Sequence, residues 1–214
     1  MKKVFNILFM AALIIGLASC KDDKDEPAAT LTLDTTTEVT LKPGASKVVT
    51  VKTGNGDYKA TPADTKVVTA DISNDQITLT GVGEGSTTIA VTDAKGQKAE
   101  IKVTVGVPTA GTFVWDTYTA KFDEADKYGI ALLENGIALT ELTTDKKQYY
   151  LSWTSGGLTA GDKTGGKLEV VTPDGKDNQS FTLTSVKIME TKTAGTLYIA
   201  FGDGAKTGDA VLVK

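Results

Sequence analysis

Hydrophobic and polar residues alternate with a period of two along most of the chain beyond residue 30. Ile77 and Leu79 alternate with threonines, and residues 100–105 repeat a polar–apolar pair three times. Glycine-rich segments such as 81–85 separate these runs. Alternation bounded by such segments is typical of half-buried antiparallel strands joined by turns. Because helical periodicity is almost absent, the pattern predicts an all-β fold made of two β-sandwich-like domains in tandem.

A segment bounded by proline and glycine divides the strand pattern into two parts. We therefore predict a first β domain over 30–105, a linker over 106–111 and a second all-β domain over 112–214. Within the second domain, the Asn135-Gly136 pair predicts a tight hairpin with a type I′ turn, since both residues tolerate positive φ.

The alternation in the second domain shifts by one position near residue 184. Leu183 belongs to one phase of apolar residues, whereas Val186 and Ile188 belong to the other. One extra residue inserted into a strand produces such a shift. We therefore predict a β-bulge near Thr184.

The amino terminus carries two lysines and then an apolar run over 4–18. This run is too short for a membrane-spanning helix and is typical of a secretory signal. The run ends within the letters LASC, over 17–20, which resemble the lipobox of bacterial lipoproteins. The resemblance implies a signal peptide over 1–20 that is cut just before a lipidated Cys20. Two or three acyl chains hold a protein at a membrane almost permanently.

The segment after Cys20 is charged, and we expect a flexible acidic stalk over 21–29. Its acidic cluster, DDKDE over 22–26, resembles the export signal of Bacteroidetes surface lipoproteins. A solvated spacer is the alternative interpretation of such a charged run. The resemblance implies an outer-membrane location, with the lipid as the contact to the membrane and the protein facing the cell exterior.

Three motifs of the first domain point to a family. They are VTLKPG over 39–44, VTADI over 68–72 and GEGSTTI over 83–89. Together with the closing run KAEIKVTV over 98–105, they resemble the bacterial Ig-like group-2 domain of invasin- and intimin-type adhesins. Tyr58 stands nearest to the position of a tryptophan that the family often has. The resemblance implies an Ig-like sandwich, and it specifies fold far better than function.

Composition narrows the chemistry that the chain can perform. The sequence contains no histidine and no arginine, and its only cysteine is Cys20. It therefore lacks an imidazole base or metal ligand, a guanidinium that could clamp a phosphate, and an internal disulfide. The formal net charge is −4, and the lysines are dispersed. We therefore expect no nucleic acid partner, because nucleic acid binding requires a clustered basic face.

The sequence contains only weak signals for a catalytic site or a metal site. The densest acidic cluster of the second domain, 123–126, lies within one loop, whereas a glycosidase needs two carboxylates roughly 5–9.5 Å apart across a cleft. The Asp- and Gly-rich loops at 174–178 and 203–209 offer oxygen ligands for Ca²⁺, but turn chemistry alone explains them. We predict that the protein is not an enzyme, with no catalytic residue, no metal and no cofactor.

Aromatic residues of the second domain are the candidates for ligand binding, because sugars dock on exposed aromatic planes. Alternation assigns Tyr149 and Trp153 to the core. It assigns Tyr150 and Tyr198 to the opposite face, where we expect them to be exposed, and Trp115 completes the candidate set. Isolated exposed aromatic residues also occur without any function.

These observations predict a non-catalytic surface lipoprotein whose first domain is a spacer and whose second domain meets a surface polysaccharide or a protein. Adhesion or ligand binding is the leading function. The alternative is glycan capture for polysaccharide uptake, since the domain order resembles that of outer-membrane starch-binding accessory lipoproteins. Exposed, coplanar aromatic residues on the second domain would favour glycan capture. A free strand edge would favour protein adhesion or assembly.

Overall fold

The computed structural model describes residues 27–35, 38–122, 124–143 and 145–213. These residues form strands and turns without a helix, which confirms the predicted all-β fold of sandwich-like domains. The described part of the chain accordingly contains no apolar helix of membrane-spanning length. The predicted signal peptide, Cys20 and most of the acidic stalk lie outside the described residues.

Nineteen strands occur in the described residues, and eight of them precede the segment 106–111. These eight are β1 (Thr32–Leu33), β2 (Val39–Leu41), β3 (Ser46–Thr53), β4 (Lys59–Pro62), β5 (Val68–Ser73), β6 (Gln76–Gly81), β7 (Gly85–Thr92) and β8 (Lys98–Val105). They form two four-stranded sheets, ordered β1-β3-β6-β5 and β2-β8-β7-β4. Strand β2 pairs with β8 in parallel, and the other pairs in these sheets are antiparallel.

The remaining strands are β9 (Thr112–Trp115), β10 (Tyr118–Lys121), β11 (Tyr128–Leu133), β12 (Gly136–Glu141), β13 (Gln148–Ser152), β14 (Gly161–Lys163), β15 (Lys167–Val171), β16 (Gln179–Thr182), β17 (Ser185–Glu190), β18 (Thr196–Gly202) and β19 (Thr207–Val213). They form a six-stranded sheet, ordered β10-β9-β19-β18-β17-β14, and a five-stranded sheet, ordered β11-β12-β13-β15-β16. Every pair in these two sheets is antiparallel among the strands described.

Two separate hydrophobic clusters lie between the sheets. One is made of Val, Ile and Leu side chains from the first eight strands and the residues beside them. The other is richer in aromatic residues and comes from strands β9 to β19 and the loops between them. Tyr149 and Trp153 belong to the second cluster, each 4% exposed, which confirms their predicted place in the core. Each pair of sheets therefore buries its own apolar face.

The hairpin of β11 and β12 is present, but its turn lies one residue earlier than predicted. Glu134 and Asn135 form the turn, and Gly136 pairs with Leu133 at the start of β12. Neither turn residue has the positive φ that a type I′ turn requires, so the predicted turn type is wrong. Gly136 is needed inside the sheet instead, because an added Cβ would lie 2.3 Å from the carbonyl oxygen of Leu151.

The phase shift near Thr184 also has a different cause from the one predicted. The residues before it lie in β16 of the five-stranded sheet, and those after it lie in β17 of the six-stranded sheet. Between these strands, the Leu183 N–H donates to the Gly166 carbonyl and the Thr184 N–H donates to the Gly202 carbonyl. The chain thus crosses from one layer to the other, and the predicted bulge is wrong.

Candidate functional site

The six-stranded sheet has an inner face on the core and an outer face that meets the first sandwich. Leu197 and Ile199 point into the core, so Tyr198 between them points outward. Tyr198 is nevertheless only 2% exposed. The turn from Lys42 to Ala45, which follows β2, borders the same cavity as Tyr198. The expected exposure of Tyr198 is therefore wrong, because the first sandwich covers this part of the face.

Polar contacts join the two sandwiches across this face. The ammonium of Lys42 lies 2.5 Å from Oδ2 of Asp209, and Asp209 is only 6% exposed. The backbone N–H of Lys192, in the turn between β17 and β18, donates to Oε2 of Glu84 at 2.6 Å. The first contact is the more buried of the two, and it fixes the turn after β2 over strand β19.

Between this turn and the outer face lies a cavity of about 350 Å³, which we call the interdomain cavity. Its sheet side is formed mainly by Met189, Tyr198 and Ala200, and its opposite side by the Lys42–Ala45 turn. Asp162 and Lys187, which are cross-strand partners on β14 and β17, also line it. The volume lies within the range of small-molecule sites, so the cavity is the first candidate site.

Asp209 is the most unusual group of the interdomain cavity. Its Oδ2 is paired with Lys42, but its Oδ1 is buried and has no hydrogen-bond partner among the described residues. Buried polar atoms without a partner are rare, and each one invites an explanation. Burial, together with the negative charge of Asp209, raises the pKa of Tyr198 well above its ordinary value, so Tyr198 keeps its proton at physiological pH.

Trp115 lies on the inner face of the same sheet and is 5% exposed. Its ring stacks on that of Phe201, with the centroids 5.6 Å apart, and it also contacts Phe181 at 5.2 Å. A hollow of about 250 Å³ borders Trp115 and the turn that follows it. Because Phe181 and Phe201 pack against its ring, Trp115 offers no open plane on which a sugar could stack. We therefore exclude it as a binding platform.

Tyr118, Tyr149 and Glu141 form a polar group beside this aromatic core. The two tyrosine rings stack 4.5 Å apart, and the Tyr118 hydroxyl donates to Oε1 of Glu141 at 2.5 Å. The Lys147 N–H donates to Oε2 of Glu141 at 3.2 Å. Burial raises the pKa of Tyr149 to about 12, and the charge of Glu141 adds to this effect. Because both oxygens of Glu141 have partners, the group is a satisfied part of the core.

Tyr150 lies on the outer face of the five-stranded sheet and is half-buried. Its hydroxyl donates to Oε1 of Gln148 at 2.7 Å. The three predicted ligand residues therefore lie in three different places. Tyr150 is on this face, Tyr198 is on the outer face of the other sheet, and Trp115 is in the core. The structure does not bring them together into one aromatic platform.

The two loops considered for Ca²⁺ use their carboxylates to hold turns. Asp203 accepts the N–H groups of Ala205 and Lys206 at 2.9 and 2.7 Å, and these bonds lower its pKa below the ordinary range. Asp174 accepts the Lys176 N–H at 3.2 Å and the Thr172 hydroxyl at 3.1 Å. Within the described residues, no three side chains of the types His, Cys, Asp or Glu are grouped as a metal site.

Strand β11 is an apolar edge of the five-stranded sheet. Its sequence, YGIALL, contains no charged residue and no proline. Ile130, Leu132 and Leu133 are 38%, 49% and 39% exposed, and Leu142, 46% exposed, lies beside Gly129. These four leucine and isoleucine side chains make up most of the large exposed hydrophobic residues in the described part of the chain. Edge strands of soluble proteins usually carry lysine, proline or a bulge that prevents further pairing.

Main-chain groups of β11 are also open to pairing. The Leu142 N–H donates to the carbonyl of Lys127, so the odd-numbered residues of this strand bond to β12. In an antiparallel pair the residues between them direct N–H and C=O to the other side. Ile130 and Leu132 therefore direct their main-chain groups to the free edge, whereas the Tyr128 N–H bonds within the preceding turn.

In comparisons with known proteins, no model of a protein family matches the chain, and no curated protein shows significant similarity to it. The resemblance of the first domain to bacterial Ig-like domains, and of the amino terminus to lipoprotein signals, therefore stays a prediction from the motifs quoted above. Sequence analysis included Asp209 only as the last residue of the loop considered for Ca²⁺, and it did not single out β11 as a binding surface. The uncharged run of β11 does not separate it from a central strand such as β18, whose seven residues are also uncharged, so the sequence held no signal for the free edge.

Proposed function

We propose that this protein is a non-catalytic surface lipoprotein that is anchored through Cys20 and binds a protein partner by strand addition to β11. The observation that carries the proposal is the uncharged edge strand with exposed Ile130, Leu132 and Leu133. Main-chain hydrogen bonds to a free edge provide affinity in this mode of recognition, and alternate side chains provide specificity.

The partner that fits this edge is an extended protein segment with alternating apolar residues. Ile130 and Leu132 pair with Leu139 and Ile137, which are fully buried, so their side chains point to the core side of the sheet. An added strand would continue the sheet, and its inward side chains would cover these two residues. Because these side chains are already more than half buried, covering the rest of each would contribute less than half of the roughly 1.5–3 kcal/mol gained by burying a fully exposed one.

The predicted anchor supports a surface role for this edge. The LASC motif ending at Cys20 and the acidic run over 22–26 support an outer-membrane protein that faces the exterior. On this proposal the first sandwich, which we interpret as Ig-like, is the spacer that holds the second sandwich away from the lipid surface. Burial of Tyr198 and Trp115 favours this function over glycan capture on an exposed aromatic platform.

Binding can be tested by probing an array of host extracellular proteins and glycans with the chain from Lys21 onward. We expect binding to protein spots, reduced at least tenfold in Leu132→Lys, because a lysine ammonium on the edge opposes strand pairing. Val48→Lys is the matched control, since Val48 is similarly exposed, 46% against 49%, but lies in β3, which belongs to a sheet of the first sandwich and does not pair with β11. Binding to glycans alone, or equal loss in both variants, would contradict strand addition.

Self-association and anchoring need separate measurements. A dimer in analytical ultracentrifugation that Leu132→Lys dissociates would identify the added strand as that of a second copy. Mass spectrometry of the protein purified from membranes should show a lipid mass on Cys20. Proteolysis of intact cells should cleave the protein, and full protection would contradict display on the outer face.

A further inference from the structure

The free edge of β11 presents two residues with open main-chain groups. Ile130 and Leu132 direct N–H and C=O away from β12, whereas the N–H of Tyr128, at the start of the strand, donates to the carbonyl of Glu124. The two open residues are separated by Ala131 alone. Outward-directed residues form the hydrogen-bonded pairs of an antiparallel ladder. A strand that satisfies this edge therefore needs two open residues with the same spacing.

A second copy of β11 supplies that spacing. When a two-fold axis passes beside Ala131, Ile130 of each copy lies opposite Leu132 of the other, and these pairs exchange all their main-chain hydrogen bonds. The neighbouring registers place one of the two open residues opposite itself. The other then lies opposite Tyr128, whose N–H is already used, or opposite Glu134 in the hairpin turn. The register centred on Ala131 therefore satisfies both open residues and needs no others.

The same register covers exposed apolar side chains on both faces of the sheet. On the core side, Ile130 and Leu132 of opposite copies become cross-strand neighbours. On the outer side, Leu133 lies opposite Gly129, which has no side chain to oppose it. Leu142 lies beside Gly129, 3.9 Å from where a Cβ would stand, so Leu133 would also contact Leu142 of the second copy. The four exposed leucine and isoleucine residues of this surface thus find apolar partners in a second copy.

Charges at the two ends of β11 favour the antiparallel arrangement. Lys127 precedes the strand and Glu134 follows it, and both are exposed. In the two-fold register Tyr128 lies opposite Glu134 of the second copy, so Lys127 lies one residue from the position opposite that glutamate. Parallel pairing would instead place like charges together. Opposite charges across a strand pair stabilise it, and like charges destabilise it.

We propose that β11 pairs with β11 of a second copy about a two-fold axis beside Ala131, and that this pairing closes the edge until a partner strand displaces it. The inference rests on the proposed function, because it assigns a resting occupant to the same edge. The interface closes on itself, since each β11 is already bonded to β12 on its other side. Contact between two six-residue strands is smaller than a stable dimer interface, so the pairing is weak and exchangeable.

Disulfide cross-linking of single-cysteine variants tests the position of the axis. The chain from Lys21 onward contains no cysteine, so an introduced thiol is the only one. In Ala131→Cys the two thiols oppose each other directly, at the Cα separation that a disulfide requires. Under mild oxidation we expect this variant to form a covalent dimer at least tenfold faster than Leu133→Cys. The latter is the matched control, on the same strand and face, because its two thiols would lie roughly 13 Å apart along the strands.

The double variant Gly129→Cys/Leu133→Cys checks the control. Its thiols oppose each other across the axis, so it should cross-link even though the Leu133 side chain is lost. Spectra of each variant report whether it is folded. Folded Ala131→Cys that cross-links no faster than Leu133→Cys would overturn pairing with a second copy.

The covalent dimer also tests whether pairing closes the edge. Oxidised Ala131→Cys should lose its binding to the protein spots of the array, and a reducing agent should restore it. Unchanged binding after oxidation would overturn the closing role. The two proposals fail separately. Array binding that depends on Leu132, without cross-linking through Ala131→Cys, would leave strand addition in place and remove the second copy. Cross-linking without array binding would do the reverse.

Discussion

The tyrosines show that the position of a residue in a strand predicts which face it occupies, but not whether that face is buried. Tyr149 and Tyr198 are both buried, but on opposite faces of their sheets: Tyr149 lies in the core, and Tyr198 lies against the first sandwich. Tyr150 is only half-buried. Burial disfavours the charged phenolate, and it raises the pKa of Tyr149 to about 12 and that of Tyr198 and Tyr118 above the ordinary value.

These pKa shifts predict alkaline sensitivity. A group whose folded-state pKa is raised contributes stability below its unfolded pKa, near 10, and loses it as the pH rises through the folded value. We therefore expect the free energy of unfolding to fall above about pH 10. Absorbance near 295 nm should show the phenols of Tyr118, Tyr149 and Tyr198 ionising later than free tyrosine.

The variant Glu141→Gln separates the causes of these shifts. It removes the charge beside Tyr118 and Tyr149, so their ionisation should move to lower pH, whereas Tyr198, which faces Asp209, should not change. Ionisation of all six tyrosines near pH 10 in the native protein would contradict the described burial.

At the scale of elements, strand order decides which strands are protected. Central strands such as β12 bond on both sides, whereas β11 bonds on one side only. Its apolar sequence does not differ in kind from that of a central strand, so alternation could not identify it as an edge. The pairing of β12 with both β11 and β13 is what leaves the other side of β11 open.

Hydrogen exchange should report this one-sided pairing residue by residue. The amides of Ala131 and Leu133 bond to β12, whereas those of Ile130 and Leu132 point to the free edge. We expect slow exchange at the first pair and fast exchange at the second, measured by NMR under native conditions. Equal protection along the strand would mean that another segment or a second copy covers the edge, and a repeat at tenfold lower concentration distinguishes these two cases.

The whole molecule is organised by the contact between the two sandwiches. The Lys42–Asp209 pair is the buried part of that contact, with side chains 44% and 8% exposed. Removing one partner of such a pair leaves the other charge buried without compensation. Because Lys42 remains open to solvent, part of its attraction for Asp209 is screened.

Lys42→Met should therefore lower the free energy of unfolding of the second sandwich by about 1–3 kcal/mol. Tryptophan fluorescence during urea unfolding isolates this sandwich, since both tryptophans, Trp115 and Trp153, lie in its core. Lys167→Met is the matched control, because its pair with Glu169 is exposed on both sides and should be worth less than about 1 kcal/mol. Equal effects of the two variants would show that the interdomain pair does not stabilise the fold.

Much of the architecture was predictable from the sequence, because strand formation depends on a local pattern. The period-two runs and the glycine-rich turns determine an all-β chain, and alternation correctly placed Tyr149 and Trp153 in the core. The same pattern gave a wrong prediction near Thr184. There the chain crosses from one sheet to the other, and this crossing shifts the alternation in the same way as a bulge would. Gly136 was interpreted as a turn residue, but glycine is needed there because the neighbouring strand approaches closely.

By itself, the sequence determined the β architecture and predicted the lipid anchor, since both depend on residues that are neighbours in the chain. Only the tertiary structure decided that Tyr198 is covered, that Asp209 holds Lys42 with one oxygen and leaves the other unpaired, and that β11 is a free edge. The reason is physical: alternation tells which face of a strand a side chain occupies. What lies over that face depends on contacts between residues far apart in the chain, 167 positions apart for Lys42 and Asp209.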